Sequence, residues 1–206
     1  MKKKTVALLL ALVLVFGVAA GGTLAWLTDT SDTVTNTFTT SDINVKLEET
    51  KGTGTTATEK SFQMVPGWTI DKDPKAWVEA GSEDCYLFVK LEKSANFDSF
   101  MTYAKADGWT KLDSASGTYV EVYYKVFDSK DDANGNVMGT KYSVLENDQV
   151  TVKGNVTKTM MNGLDTNTYP TLTVTAYASQ LYKSNNDKFT PAEAWNNAKP
   201  ASTTTP

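Results

Sequence analysis

Between Ile43 and Gln180 apolar side chains recur at every second position in run after run, and this period of two constrains the fold more than any other feature. Ile43, Val45 and Leu47 alternate with Asn44, Lys46 and Glu48. In Cys85 to Glu92, Cys85, Leu87, Val89 and Leu91 share one face and Tyr86 and Phe88 the other, so cover is expected on both sides. Tyr119 to Phe127 sets Val120, Val122, Tyr124 and Val126 against Tyr119, Glu121, Tyr123 and Lys125, and Thr171 to Gln180 puts Leu172, Val174, Ala176 and Ala178 on one side. The chain also carries 31 Thr, and β-branched side chains, stiff at χ1, sit better on a pleated surface than on a helix. Phe62–Val65 leads into Pro66-Gly67; shorter runs at Ala76–Val78, Trp109–Leu112, Tyr142–Leu145, Gln149–Val152 and Asn155–Met161 read as further strands, while Phe97–Tyr103 fits either a helix or a strand. Turns are expected at Pro66-Gly67, at Gly81–Asp84, and in the acidic stretch Asp128–Asn136, whose Asn134-Gly135 is a dipeptide favoured in tight hairpins. Glu49 to Lys60 reads as a polar linker or long hairpin loop. Thr190-Pro191-Ala192-Glu193 is a capping box that predicts a short helix, Pro191 to Ala198, carrying Trp195. The expected fold is all-β: one antiparallel β-sandwich domain of jelly-roll type over residues 41–198, with a short C-terminal helix.

Charge and composition remove whole classes of chemistry. There are 20 basic residues, all Lys, against 24 acidic ones, with no His and a single Cys. Without His there is no imidazole triad, zinc site or proton shuttle, and one Cys makes neither an internal disulfide nor a thiolate cage. Without Arg, and with net negative charge, the footprint of a nucleic-acid binder is missing. No cofactor is expected.

The first residues form a second strong signal. Met1-Lys2-Lys3-Lys4 is basic, Val6 to Ala20 is apolar apart from Gly17, and Gly21-Gly22-Thr23-Leu24-Ala25 ends in small residues. As a helix the fifteen apolar positions rise about 22 Å, short of a hydrocarbon core of about 30 Å. This is the pattern of a cleavable signal helix over residues 1–25, cut between Ala25 and Trp26. A retained anchor stays open as an alternative, since Leu24, Trp26 and Leu27 extend the apolar length. No Cys near the cut supports a lipoprotein, and no Glu before Glu48 supports a type IV pilin. Residues 26–40 then form an N-terminal arm rich in Thr and Asp, and residues 199–206 a disordered tail. The expected destination is outside the cell, in the extracellular matrix or on the surface of a bacterium, with membrane contact only before cleavage.

Three segments resemble the TasA/camelysin family of exported bacterial proteins. The first is Gly21-Gly22-Thr23-Leu24-Ala25-Trp26-Leu27-Thr28-Asp29 with Asn36-Thr37-Phe38 and Ile43-Asn44-Val45 behind it. The second is Val65-Pro66-Gly67 with Lys72-Asp73-Pro74. The third is Thr175-Ala176-Tyr177-Ala178-Ser179-Gln180 with Ala194-Trp195, in which Ser179 stands where a branched apolar residue is expected. Asn96 to Pro170 matches nothing specific in the family. The resemblance implies a jelly-roll domain, export through a SipW-type signal peptidase, and assembly into biofilm-matrix fibres in which the N-terminal segment of one subunit completes the sheet of the next. Trp26 to Phe38 would be that donor strand, with Trp26, Val34 and Phe38 as anchors; a free arm, or a strand pairing within its own subunit, is the alternative. Partners would be other copies of the chain, head to tail, with other matrix proteins or polysaccharide as further candidates. A non-polymerising adhesin or glycan- or protein-binding module is the second reading.

Camelysin has been regarded as a metalloprotease, but this chain has no His to hold zinc, so no enzyme is expected. The candidate metal loop is Asp128, Asp131, Asp132 and Asn134 with Asn136, whose oxygens would suit calcium. Counting back from Gly135, however, Lys130 takes the place of the first Asp and no Glu follows at the required distance, so a solvated turn is the competing reading. Cys85 is either a redox handle or a small buried residue, and Trp68, Trp77, Trp109 and Trp195 either stack a carbohydrate or pack inside.

Overall fold

The alternating runs become strands, and their two-sided burial decides how the strands stack. In the computed structural model, residues 42–52, 61–131 and 135–199 are described, within one compact unit, Ser41–Pro206. The described residues are mostly β, with several antiparallel sheets and a few short helices. The strands are β1 (Val45–Glu48), β2 (Thr69–Asp71), β3 (Lys75–Val78), β4 (Cys85–Lys93), β5 (Met101–Thr102), β6 (Thr110–Lys111), β7 (Val120–Phe127), β8 (Tyr142–Ser143), β9 (Gln149–Val152), β10 (Leu172–Gln180), β11 (Tyr182–Ser184) and β12 (Asp187–Lys188). The helices are α1 (Phe97–Phe100), α2 (Lys158–Asn162) and α3 (Pro191–Ala198).

A four-stranded sheet in the order β10-β4-β7-β6 lies at the centre. On one face Cys85, Leu87, Val89 and Leu91 of β4 join Tyr123 and Phe127 of β7 in the main core. The opposite wall of that core comes from two three-stranded sheets, β1-β3-β8 and β2-β9-β5, through Ala76, Val78, Val150 and Val152. These two sheets run on from each other. Lys72 N donates to Asp148 O (2.8 Å) and Val144 N to Pro74 O (3.0 Å), carrying the pairing from β2–β9 into β3–β8. Between the Lys75–Ser143 and Asp71–Gln149 pairs the β3–β2 side advances four residues and the other side six. The two extra residues are taken up where Asn147 (φ 53°) and Asp148 (φ 55°) turn left-handed, which kinks the layer there.

The other face of the central sheet carries a second core. Tyr86 and Phe88 of β4 and Val122 of β7 meet Leu181, Ala194 and Trp195. The ring of Trp195 sits 5.4 Å from Phe88 and 5.3 Å from Tyr177. The expected capping box holds α3 in place: Thr190 caps Glu193 N, and the Glu193 carboxylate accepts from Thr190 N (2.8 Å). Both faces of β4 are thus covered, and Cys85 is a fully buried thiol, its pKa pushed up to about 12 by loss of solvent and then by the charge of Asp84.

Several expectations are corrected. Asn155–Met161 is not a strand; the Thr157 hydroxyl caps Met160 N (3.2 Å) and starts α2, which lays Met160 and Met161 on the main core. The turn after β7 does not close a hairpin. β7 pairs with β4 along its length and with β6 at Tyr123 and Tyr124, and the chain after it crosses to the other wall, where β8 pairs with β3. Phe97–Tyr103 is both helix and strand, α1 followed directly by β5. Glu49 to Lys51, which open the stretch read as a polar linker or long hairpin loop, are non-strand residues hydrogen-bonded to Lys72 and Asp73. The β11–β12 hairpin, turning at Asn185-Asn186, was not expected at all.

Candidate functional site

Among the described residues the two walls of the main core are stitched together by a connecting segment on one side, and on the other they meet through β1 and β10 without a shared ladder. On the joined side the chain passes straight from β5 to β6 through residues 103–109, and its side chains stitch the walls together. Tyr103 OH donates to Glu121 Oε2 on β7 (2.7 Å), Ala106 N to Val144 O (2.9 Å), and Trp109 Nε1 to Ser143 O (2.8 Å). Lys125 of β7, which the alternation put on a polar face, is buried here. Its Nζ donates to Gly108 O (2.7 Å) and lies 5.1 Å from the ring centre of Trp109 and 4.6 Å from that of Tyr142. Burial, and then the charge of Lys105, pull its pKa down. Gly108 is required at this point: its φ is +76°, and a Cβ would stand 2.8 Å from the Lys125 ammonium.

On the other side the walls end in β1 and β10, which lie alongside one another with their outer edges unpaired among the described residues. The burial of core-facing side chains shows what is missing. One strand further in, Ala76 and Val78 of β3 and Leu87, Val89 and Leu91 of β4 are all 0% exposed. At the edges Ile43, Val45, Leu172, Val174 and Ala176 rest on the same core but are only half-buried. Leu47, paired with the buried Ala76, is 37% exposed. The drop in burial across a single strand marks β1 and β10 as the outermost strands of the two walls among the described residues. Among the described residues no further strand pairs with either β1 or β10 on this side.

Within its own residues β10 carries no device that guards its edge, although α3 and β1 pack alongside it. It runs nine residues, LTVTAYASQ, in unbroken register with β4, with no charge, no Pro and no bulge. Those are the devices by which exposed edges ordinarily avoid pairing with another chain, and an edge without them is a template for strand addition. On β1 the charges Lys46 and Glu48 are drawn outward, to Glu79 and Lys141.

The residues expected to use this seam, Trp26, Val34 and Phe38, and the cleavage pair Ala25 and Trp26, lie outside the described residues. So do Asp132 and Asn134 of the candidate calcium loop, while Asp131 is exposed. Asp128 is engaged otherwise: Tyr182 OH (2.9 Å) and Lys130 N (3.0 Å) donate to Oδ1, and Lys188 Nζ stands 2.5 Å from Oδ2. Burial pushes its carboxyl up, but the Lys188 and Tyr182 bonds outweigh that and hold it below the ordinary range. This carboxylate ties the chain after β7 to the β11–β12 hairpin. Among the described residues no group of three or more acidic or Cys side chains is placed to hold a metal.

Of the four tryptophans among the described residues, Trp109 and Trp195 are buried, Trp77 lies half-covered beneath Lys141 (4.6 Å), and Trp68 is 65% exposed. They make no common stacking surface. The openness of the seam was invisible in the sequence, where β10 and β4 show the same alternation; only their places in the sheet differ. Comparison with protein-family models, characterised proteins and solved structures finds no match.

Proposed function

We propose that the chain is an exported structural protein of TasA/camelysin type, a self-assembling subunit or accessory of extracellular biofilm-matrix fibres. Its domain is best read as a jelly-roll sandwich in which the β10-β4-β7-β6 sheet forms one layer and the two kinked, continuous sheets form the other. The observation that carries the proposal is the seam between β1 and β10, with its unguarded nine-residue edge and under-covered apolar row. The occupant is Trp26–Phe38 of a second copy, following removal of residues 1–25 by a SipW-type peptidase. That segment is Pro-free, and Trp26, Val34 and Phe38 all have even numbers, so an extended strand presents them on one face. It ends close before Asp42, where the described chain begins. A strand donated to the next copy, which donates its own in turn, gives a heterologous contact that grows without closing. No step of this process needs a titrating catalytic group, a metal or a cofactor, in keeping with a chain that has no His and one buried Cys.

Deleting Trp26 to Thr35 from the secreted chain tests the proposal by electron microscopy and far-UV circular dichroism. A folded monomer without filaments is expected; filaments from the deleted chain would overturn it. The adhesin reading rests on Trp68, held out by the Pro66-Gly67 turn, in which Trp68 N donates to Val65 O (3.0 Å). Glycan binding that Trp68→Ala removes, by a chain that never forms filaments, would favour that reading.

A further inference from the structure

The least self-supporting part of the open side is β1. It has four residues, pairs along one edge only among the described residues, and buries none of its side chains fully. A strand so short gains little from its ladder, and its register is weakly specified by burial. A slip of one residue would turn Lys46 and Glu48 toward the core in place of Val45 and Leu47.

Under the end of β1 lie two charged residues that the fold buries, Lys72 and Asp73. Lys72 Nζ reaches both carboxylate oxygens of Glu49, at 3.1 and 2.9 Å, and sits 5.5 Å from the ring centre of Phe62. Asp73 accepts three hydrogen bonds, from Thr50 N (2.9 Å), Thr50 Oγ1 (2.5 Å) and Lys51 N (2.7 Å). The partners are thus three consecutive residues, Glu49, Thr50 and Lys51, immediately after β1. Lys72 and Asp73 are themselves anchored where the two sheets of this wall run together, by the bonds from Lys72 N to Asp148 O and from Val144 N to Pro74 O.

A buried ion pair returns by attraction only part of what it loses in desolvation, so net stability is a poor explanation for keeping one here. Its energetic asymmetry is the better one. In the observed register every charge is matched. In a register slipped by one residue Glu49 leaves Lys72, the Thr50 and Lys51 amides leave Asp73, and two buried charges lose their partners. The penalty falls on the wrong alignment alone.

We propose that Lys72 and Asp73 form a register lock for β1: they are positioning residues that hold Val45 and Leu47 toward the open seam. The consequence for strand acceptance rests on the function proposed above; the lock itself does not. The test compares the secreted wild-type chain with Asp73→Ala and with the apolar double variant Glu49→Leu/Lys72→Met. Cross-strand NMR contacts of Val45 with Val78 and of Leu47 with Ala76 report the register, and amide exchange reports the docking of β1. In both variants these contacts are expected to vanish or shift by one residue, and β1 amides to exchange at least tenfold faster, with β4 and β7 still protected. Affinity for a synthetic Trp26–Phe38 peptide should fall at least tenfold. Should either variant fail to fold, Thr50→Val, which removes one of the bonds to Asp73, gives the same readout on a smaller scale, and Thr50→Ser restores it. Unchanged contacts and exchange in β1 overturn the lock. A wild-type chain that takes up no peptide overturns strand acceptance and leaves the lock to be judged on register alone.

Discussion

Replacing Lys125 by Met tests how the joined side of the core is held. Met keeps most of the aliphatic stem and removes the ammonium, so packing is nearly conserved while three interactions go: the bond to Gly108 O and the contacts with the rings of Trp109 and Tyr142. A hydrogen bond from a charged donor contributes about 1.5–3 kcal/mol, and a desolvated cation–π contact about 1–2 kcal/mol. Against this, removing the ammonium relieves the cost of burying a charge, a cost already visible in the lowered pKa of Lys125. The Gly108 carbonyl also loses its side-chain donor. The net expectation is a destabilisation of about 1–3 kcal/mol, or roughly 3–10 °C in Tm for a domain of this size. Urea unfolding followed by tryptophan fluorescence measures it, and Trp109 reports on the site directly because the ammonium lies over its ring. A Lys125→Met chain as stable as wild type, or more stable, would refute the reasoning: the charge would then cost as much to bury as its contacts return. Substituting Gly108 by Ala should destabilise by a different route, through a left-handed backbone and a collision with the same ammonium.

Two further outcomes follow from the open side. Val174→Lys puts a charge on the core-facing row of β10; it should cost about 1 kcal/mol of stability, since Val174 is only half-buried, yet abolish uptake of the Trp26–Phe38 peptide, measured by fluorescence anisotropy. Undiminished uptake would mean that the peptide binds elsewhere. Burial raises the Asp73 carboxyl, but its bonds from the Thr50 hydroxyl and the Lys51 and Thr50 amides hold it lower overall. A carboxyl depressed in the folded state contributes stability that is complete above its unfolded value, about 4, and is lost as pH falls through the folded value. Protection of the β1 amides, taken relative to their intrinsic exchange at each pH, should therefore fall below about pH 4 in wild type and show no such step in Asp73→Asn.

How much was legible in the chain varies from element to element. β4, β7, β10 and α3 stand where alternation and the capping box put them, because each depends on residues close in sequence. Asn155–Met161 failed because the apolar residues there suit either period, and the cap at Thr157 decided for helix. Asn134-Gly135 suggested a hairpin, but a turn dipeptide does not choose the strand's partner, and the next strand, β8, pairs with β3 on the other wall. Lys125 resembled a solvated residue because alternation marks two faces without saying that both will be covered.

The sequence by itself determined that this chain makes short antiparallel strands and cannot use imidazole, guanidinium or paired-thiol chemistry. Both are properties of residue types and their spacing along the chain. Only the tertiary structure decided that Lys125, Lys72 and Asp73 are buried, that residues 103–109 join one side of the core, and that β1 and β10 end their sheets among the described residues. An edge is defined by a neighbour that is not there, and hydrogen bonding between strands is set by where distant segments come to rest rather than by anything a strand carries in its own residues.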